Sequence, residues 1–226
     1  MNDSERSPWG VTIAMAALIM SWLGSVIVTA LFAPFVGSGA HDTPLWVRYG
    51  SFLASQLIIC GSASLVIWTY RARIATLGPF RLPARAIWEA LLSGSGLVGL
   101  TALYGLALQY LWPSAYQQMV DEQTVQLTWL AAPWPLLWFS AVIVAPICEE
   151  LMYRGVVFSG LRRAWGLPAA AVASAILFAA VHLMPLSLVP LFAIGLASAL
   201  LYARHRSLLV SLVLHAAYNA LSLLLG

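Results

Sequence analysis

Two adjacent glutamates stand in the middle of an apolar stretch, in the sequence PICEELMYRG. These are Glu149 and Glu150, and Arg154 follows them. An ionisable side chain at the bilayer centre costs about 2.5–3.5 kcal/mol, so it needs a partner or a polar cavity. Glu150 and Arg154 are spaced i, i+4 and can form an ion pair on one helix face. Glu149 is rotated by about 100° on the same helix and is expected to point into the helix bundle.

Three more polar side chains interrupt two later apolar stretches. His182 ends the sequence FAAVH, while His215 and Asn219 share one helix face in HAAYN. At about 1.5 Å per residue, Glu149 and Asn219 each lie about 20 Å from an adjoining arginine-containing turn, and His215 lies about 14 Å from one. His182 lies about 21 Å from the start of its own stretch. The four side chains are therefore expected in one layer near the bilayer centre.

These side chains suit two kinds of hydrolysis. In the first, Glu149 and His182 hold and deprotonate a water, while His215 and Asn219 donate hydrogen bonds to a developing oxyanion. In the second, Glu149, His182 and His215 bind a divalent metal such as zinc, which activates the water. The residues alone leave both open. They also leave open a structural role in ion pairs and interhelical hydrogen bonds.

The composition indicates that these groups lie in a membrane. Hydrophobic residues make up 62% of the 226-residue chain and charged residues 8%, and the mean hydropathy is +0.88. A water-soluble domain carries about 25% charged residues, so the bilayer is the solvent that fits this chain. The net charge of +3 comes without any basic cluster with interleaved aromatics, so a nucleic-acid partner is not expected.

The pattern of apolar stretches predicts an all-α, polytopic membrane helix bundle with about seven transmembrane helices. The fifth and sixth stretches are short and could instead form a tight hairpin that does not fully cross. In span three, Ser95 and Gly99 form a small-xxx-small pair, which predicts close helix packing. The predicted spans are Trp9–Phe35, Trp46–Tyr70, Ile87–Trp112, Trp134–Leu161, Pro168–Leu183, Leu188–Ala203 and Leu208–Leu225.

The arginines predict the orientation, because positively charged loops stay on the cytoplasmic side. With seven crossings, eight arginines fall on one face, and Arg6 joins them if the N-terminus is cytoplasmic. Arg48 stands alone on the other face, where residues 113–133 are expected to form a solvated acidic loop. A bacterial inner membrane with the N-terminus inside fits this asymmetry. The eight arginines are Arg71, Arg73, Arg81, Arg85, Arg162, Arg163, Arg204 and Arg206.

Three motifs in order resemble the CPBP family of CAAX prenyl proteases and bacteriocin-processing membrane proteins, also called the Abi family. They are E149-E150-x-x-x-R154, F178-x-x-x-H182 and H215-x-x-x-N219. Pro146 and Gly155 also look like the family. The resemblance covers about residues 136–224. It divides the chain into an N-terminal three-span region, 1–133, and a catalytic core, 134–226, within one integrated membrane domain.

The resemblance implies a role for each motif residue. Glu149 and His182 would activate the water, and His215 and Asn219 would stabilise the oxyanion. Glu150 and Arg154 would support the first motif, and Phe178 would pack one turn from His182. Family members have been described both as metalloproteases and as glutamate-dependent enzymes, so no cofactor is certain and zinc stays an alternative. The prenylated substrate of the eukaryotic members does not carry over.

The sequence thus predicts an intramembrane endopeptidase that acts on a peptide or membrane-protein segment. The substrate is expected to enter from the bilayer or its cytoplasmic face. Two alternatives belong to other classes. A non-catalytic immunity or chaperone-type protein would keep the same residues for structure. A proton-coupled transporter would use the glutamates as a relay, but it predicts acidic residues on further spans and repeated halves, which the sequence lacks.

Overall fold

The computed structural model describes residues 7–70, 78, 82–129 and 133–225, and all the regular structure in these ranges is helical. This confirms the predicted all-α, polytopic bundle. Arg6, Arg71, Arg73 and Arg81 lie outside the described residues. The helices are α1 Val11–Phe32, α2 Leu45–Thr69, α3 Ala84–Leu111, α4 Pro113–Trp129, α5 134–165, α6 167–180, α7 Leu188–His205 and α8 Leu208–Leu225.

Helices α5 and α6 are two arms of one helical run, Trp134–Ala180. Its 47 residues would extend about 70 Å if straight, more than twice the thickness of a bilayer core. Gly166 breaks the run with a φ of 77°, a conformation that glycine adopts without a Cβ clash. Pro168 then stands in the first turn of the second arm, where its missing N–H costs nothing. Counted as one run, this leaves six candidate spans in the described chain.

Helix α5 lies at the centre of the bundle and contacts α1, α2, α6 and α8. Three helix pairs surround it: α1 packs antiparallel to α2, α6 antiparallel to α7, and α3 parallel to α8. Most α5 side chains between residues 152 and 161 are buried, among them Met152, Val156 and Phe158. By contrast, Leu57, Trp68 and Tyr110 point outward and are exposed, as expected for side chains that face lipid. The site therefore sits on the most enclosed helix.

At one end of the bundle, the described arginines connect the termini of several helices. Glu89 of α3 accepts from Arg85 at 2.8 Å, pairs with Arg204 at 3.1 Å, and lies 2.8 Å from His205 Nε2. Arg163 donates to the carbonyl oxygens of residues 7 and 8, just before α1, at 3.0 Å. The starts of α1 and α3, the end of α7 and the break after α5 therefore lie at one end of the bundle, which we call the arginine end.

Residues 113–129 form a helix, so the prediction of a loop over 113–133 was wrong for this part. Pro113 occupies the first helical position, and Ala115 and Met119 are buried one turn apart. The Met119 side chain packs near Gly105 of α3. Arg48 donates to the Thr128 carbonyl oxygen at 3.4 Å, which ties α4 to the start of α2. Helix α4 therefore crosses the bundle at the end opposite the arginine end.

Candidate active site

The four side chains predicted to meet do line one cavity. Glu149, His182, His215 and Asn219 are all in the wall of a cavity of about 500 Å³. Glu149 comes from α5, His182 from the turn after α6, and the other two from α8. The volume lies within the range of about 300–1,000 Å³ that is usual for binding sites. The depth arithmetic therefore brought together residues from three separate parts of the chain.

Glu150 and Arg154 form the ion pair that their spacing predicts, with Oε1 and Nη1 2.9 Å apart. Both side chains are fully buried, with a relative exposure of 0%. The pair has a third member that the sequence did not indicate, because His215 Nδ1 lies 2.8 Å from the same Glu150 oxygen. A carboxylate can only accept in such a contact, so His215 carries a proton on Nδ1. Glu150 thereby fixes the tautomer and the direction of the ring.

Arg154 is held by a neighbouring helix as well as by Glu150. Its Nη2 donates to the Gly195 carbonyl oxygen of α7 at 3.2 Å. Gly195 allows this contact, because a Cβ at that position would lie 3.0 Å from Cα of Ala175 on α6. The guanidinium also stacks over the Phe178 ring, 4.8 Å from its centroid. A buried cation with three partners of this kind is a fixed part of the site.

Phe178 packs between the two histidines, one turn before His182. Its ring centroid lies 4.9 Å from that of His182 and 5.7 Å from that of His215. The Phe178 carbonyl oxygen lies 2.7 Å from His182 Nδ1. Since a carbonyl only accepts, Nδ1 of His182 carries a proton, and Nε2 is the nitrogen that stays open. Both histidines therefore use Nδ1 for support and leave Nε2 for chemistry.

Glu149 is the less enclosed of the two glutamates, and its side chain is 15% exposed. Its Oε2 lies 3.7 Å from His215 Nε2, which is too long for a direct hydrogen bond. A polar separation of this length leaves room for small movements or for a bridging water. The carboxylate that faces the cavity is thus the one without a tight partner.

Asn219 owes its position to an irregularity in α5. Residues Phe139–Val144 are π-helical, and the Ala145 N–H bonds to the Ser140 carbonyl five residues earlier. In the same register Pro146 would donate to Ala141, but proline has no N–H. Instead, Asn219 Nδ2 donates a hydrogen bond to the Ala141 carbonyl oxygen at 2.8 Å. Its amide carries a second N–H that can serve a ligand in the cavity.

Comparison with known families agrees with this geometry. Residues 131–221 match the family described as type II CAAX prenyl endopeptidase Rce1-like. This segment is similar to that family, and we call it the Rce1-like domain. The match is consistent with the CPBP resemblance, which it confirms, and it supports a membrane endopeptidase in general. No curated protein and no solved structure gives a significant match to the chain.

The Rce1-like domain contains all seven motif residues, but it does not build the whole cavity. Side chains of α1 and α2, which precede the matched segment, form part of the wall. Gln56 of α2 is buried there, and its Oε1 accepts no hydrogen bond from the described residues. Ser187, at the start of α7, has an unpartnered Oγ in the same wall. No sequence signal singled out either residue, because neither belongs to a motif.

A metal site is not preformed in the Rce1-like domain. The described residues contain no group of three His, Cys, Asp or Glu side chains placed to hold an ion. His182 and His215 each use Nδ1 for a protein acceptor, which leaves both Nε2 atoms open, as in histidines that bind a metal. Glu149, His182 and His215 line the same cavity, so both the metal-free alternative and the zinc alternative stay open.

Proposed function

We propose that this protein is an intramembrane endopeptidase in which Glu149 and His182 activate the hydrolytic water. The position of Glu149, His182, His215 and Asn219 in the wall of one cavity carries this proposal. Helix α5, the turn after α6, and α8 contribute these residues, and each residue is costly to place in a membrane. A structural role would explain Glu150 and Arg154, which are sealed from the cavity, but it would not explain a carboxylate and an imidazole edge that face open space.

The water is activated by the cavity-facing carboxylate. Glu149 accepts one proton from the water, while Nε2 of the neutral His182 ring accepts a hydrogen bond from the remaining O–H and orients it. The resulting hydroxide attacks the carbonyl carbon of the scissile peptide, and the Glu149 proton is then delivered to the leaving amine. The bond between His182 Nδ1 and the Phe178 carbonyl keeps Nε2 directed at the water.

The oxyanion that forms in this attack is stabilised from α8. Asn219 donates the N–H that Ala141 does not use, and His215 donates from Nε2 when its ring carries both protons. The charges of Glu150 and Arg154 cancel, so a proton on His215 balances the charge of Glu149 across the 3.7 Å gap. Glu150 and Arg154 are thus positioning residues, which act through His215 and do not touch the substrate.

The substrate is a peptide segment. Besides the catalytic groups, the wall offers the amide oxygen of Gln56 and the hydroxyl of Ser187, both buried and both lacking a partner within the described chain. Unpartnered buried polar atoms cost about 1–3 kcal/mol each, which a ligand with its own polar groups removes. An extended peptide backbone supplies an N–H and a C=O at every residue. A purely apolar ligand would leave these atoms unsatisfied.

The test is to compare membrane peptides from cells that contain the active protein or Glu149→Gln. Cleavage products should appear only with the active protein, and His182→Ala and His215→Ala should also abolish them while still inserting and folding. Glu89→Gln removes a carboxylate outside the cavity and should retain processing. A stable Glu149→Gln protein that yields the same products, or that complements a loss-of-function phenotype, would refute the enzymatic proposal.

The metal question needs its own measurement. Elemental analysis of purified protein should show no stoichiometric zinc if the glutamate-dependent form is right. One zinc per chain, lost in His182→Ala, would replace it with the metallopeptidase form.

A further inference from the structure

We propose that the cavity receives peptide segments from the non-cytoplasmic side of the membrane. This names the substrate class of the catalytic cavity, and it rests on the proposed endopeptidase function. This proposal differs from the entry at the cytoplasmic face that we expected from the sequence. The reason is that the arginines and the cavity lie towards opposite ends of the bundle.

The arginine end faces the cytoplasm by the positive-inside rule. The structure places Arg85, Arg162, Arg163 and Arg204 at the helix ends that meet there. Among the described arginines outside the site, Arg48 lies at the other end, beside the last turn of α4. The start of α1 is therefore cytoplasmic, and α4 lies on the opposite side of the membrane.

The cavity extends from Glu149 away from the arginine end. On α5 its wall includes Ala141 and Ala145, about 12 Å and 6 Å further from the arginines than Glu149. In the other direction it reaches Tyr153, about 6 Å along the helix. On α8 the wall ends with Asn219, about 20 Å beyond Arg206. The cavity wall on these two helices thus extends further away from the cytoplasm than towards it.

The half of the bundle nearer the arginines is closed. The α5 side chains from Val156 to Phe158, followed by Leu161, are 0–1% exposed, and Ala14, Ala199 and Val210 from three other helices are also fully buried. A peptide coming from the cytoplasm would have to displace this core before it reached Glu149.

A second, smaller cavity approaches the site from the cytoplasmic half but does not reach the catalytic carboxylate. It measures about 100 Å³, which is the volume of roughly three waters. Four leucines form most of its wall, namely Leu151, Leu208, Leu209 and Leu212. Of the two glutamates, it contacts Glu150 and not Glu149. It has neither the size nor the direction of a substrate path.

The opposite end of the main cavity reaches the membrane surface. Gln123 of the polar helix α4 and Met184 of the turn between α6 and α7 line it there. Both side chains are partly exposed, and α4 is not among the described helices that could span a membrane. The cavity is therefore open beside α4, on the side that the arginines mark as non-cytoplasmic.

Cysteine labelling in intact bacterial cells tests the inference without knowledge of the substrate. In a background with Cys60→Ala and Cys148→Ala, single cysteines are introduced as Gln123→Cys at the opening and Trp165→Cys at the arginine end. Ser38→Cys in the exposed α1–α2 connection is the matched outer control. A membrane-impermeant maleimide should label Gln123→Cys and Ser38→Cys directly, and Trp165→Cys only after permeabilisation.

Labelling of Gln123→Cys only after permeabilisation would overturn the inference. So would labelling of Ser38→Cys without Gln123→Cys, because α4 would then seal the opening. A second readout uses the peptides that disappear with Glu149→Gln, which should derive from non-cytoplasmic segments; peptides from cytoplasmic segments would contradict it. If no peptide changes with Glu149→Gln, the proposed proteolysis fails, whereas the labelling result still decides on which side the cavity opens.

Discussion

The buried contact between Glu150 and Arg154 makes a quantitative prediction that separates folding from catalysis. Glu150→Gln keeps the shape of the side chain but removes its charge. Arg154 would then remain fully buried with one carbonyl and one aromatic face as partners. His215 would also exchange a charged acceptor for a neutral one at a distance of 2.8 Å. Both changes leave polar groups short of partners in the buried core of the bundle.

Removing one member of a buried ion pair costs about 3–5 kcal/mol, because the other charge is left uncompensated. At about 2–4 °C per kcal/mol for a chain of this size, Glu150→Gln should lower the Tm by roughly 6–20 °C. Arg154→Met should cost a similar amount, because it strands the carboxylate. Replacing both, with Glu150→Leu and Arg154→Met, removes the stranded charge and leaves mainly the unsatisfied His215 N–H, at about 1–3 kcal/mol.

The double variant should therefore be more stable than either single variant. Its loss of stability should be far smaller than the sum of the two single losses. Thermal unfolding of the purified protein in detergent measures all three on one scale. Glu89→Gln is the control, since its carboxylate pairs with arginines at the surface and is screened by solvent. Its effect on the Tm should be much smaller than that of Glu150→Gln.

Activity should not follow stability in this series. The double variant regains folding but loses the acceptor that orients His215, so its processing should stay as low as that of Glu150→Gln. If the two single losses add up in the double variant, Glu150 and Arg154 are not energetically coupled, and the stranded charge is not the cause of the loss. If the refolded double variant processes substrate normally, Glu150 has no positioning role for His215.

Three further predictions concern residues around the site. Gln56→Leu should leave the Tm unchanged or raise it, because it removes an unpartnered oxygen, but it should raise the KM about 2–10-fold by the loss of one hydrogen bond to the peptide. Gly195→Ala should lower stability by about 1–3 kcal/mol through overpacking, whereas Gly99→Ala, which meets nothing within 4 Å, should not, as thermal unfolding would show. Pro146→Ala should supply the missing N–H, draw the Ala141 carbonyl away from Asn219 and reduce processing without loss of Tm; full activity would contradict the proposed role of the proline.

The sequence was sufficient for those parts of the site that depend on helix repetition. The rise per residue placed Glu149, His182, His215 and Asn219 at one depth, and the i, i+4 rule paired Glu150 with Arg154. These inferences hold because α-helical geometry is nearly constant wherever it forms. They needed no knowledge of which helices are neighbours, only that all cross the same bilayer.

Features that depend on the neighbouring helix were not predictable in this way. The close approach in α3 was expected at Ser95 and Gly99, but a Cβ added to Gly99 meets nothing, while one added to Gly94 lies 3.0 Å from the Leu214 carbonyl oxygen of α8. The small-residue pattern therefore identified the correct helix, but it placed the close contact on the wrong face of that helix. Helix α4 was missed for a related reason, since its polar sequence is stabilised by two buried apolar side chains, Ala115 and Met119.

The two glutamates differ because adjacent residues on a helix point about 100° apart, and the bundle is different in those two directions. Glu150 points to where α6, α7 and α8 supply Phe178, the Gly195 carbonyl and His215 around its partner Arg154. Glu149 points to the cavity, where its ion-pair contact within the described residues is His215 Nε2 at 3.7 Å. In the proposed mechanism the base must be free to take and release a proton, and the group that orients its neighbours must not move. The same residue type can fill both proposed roles because tertiary packing, rather than the side chain itself, decides which carboxylate is held.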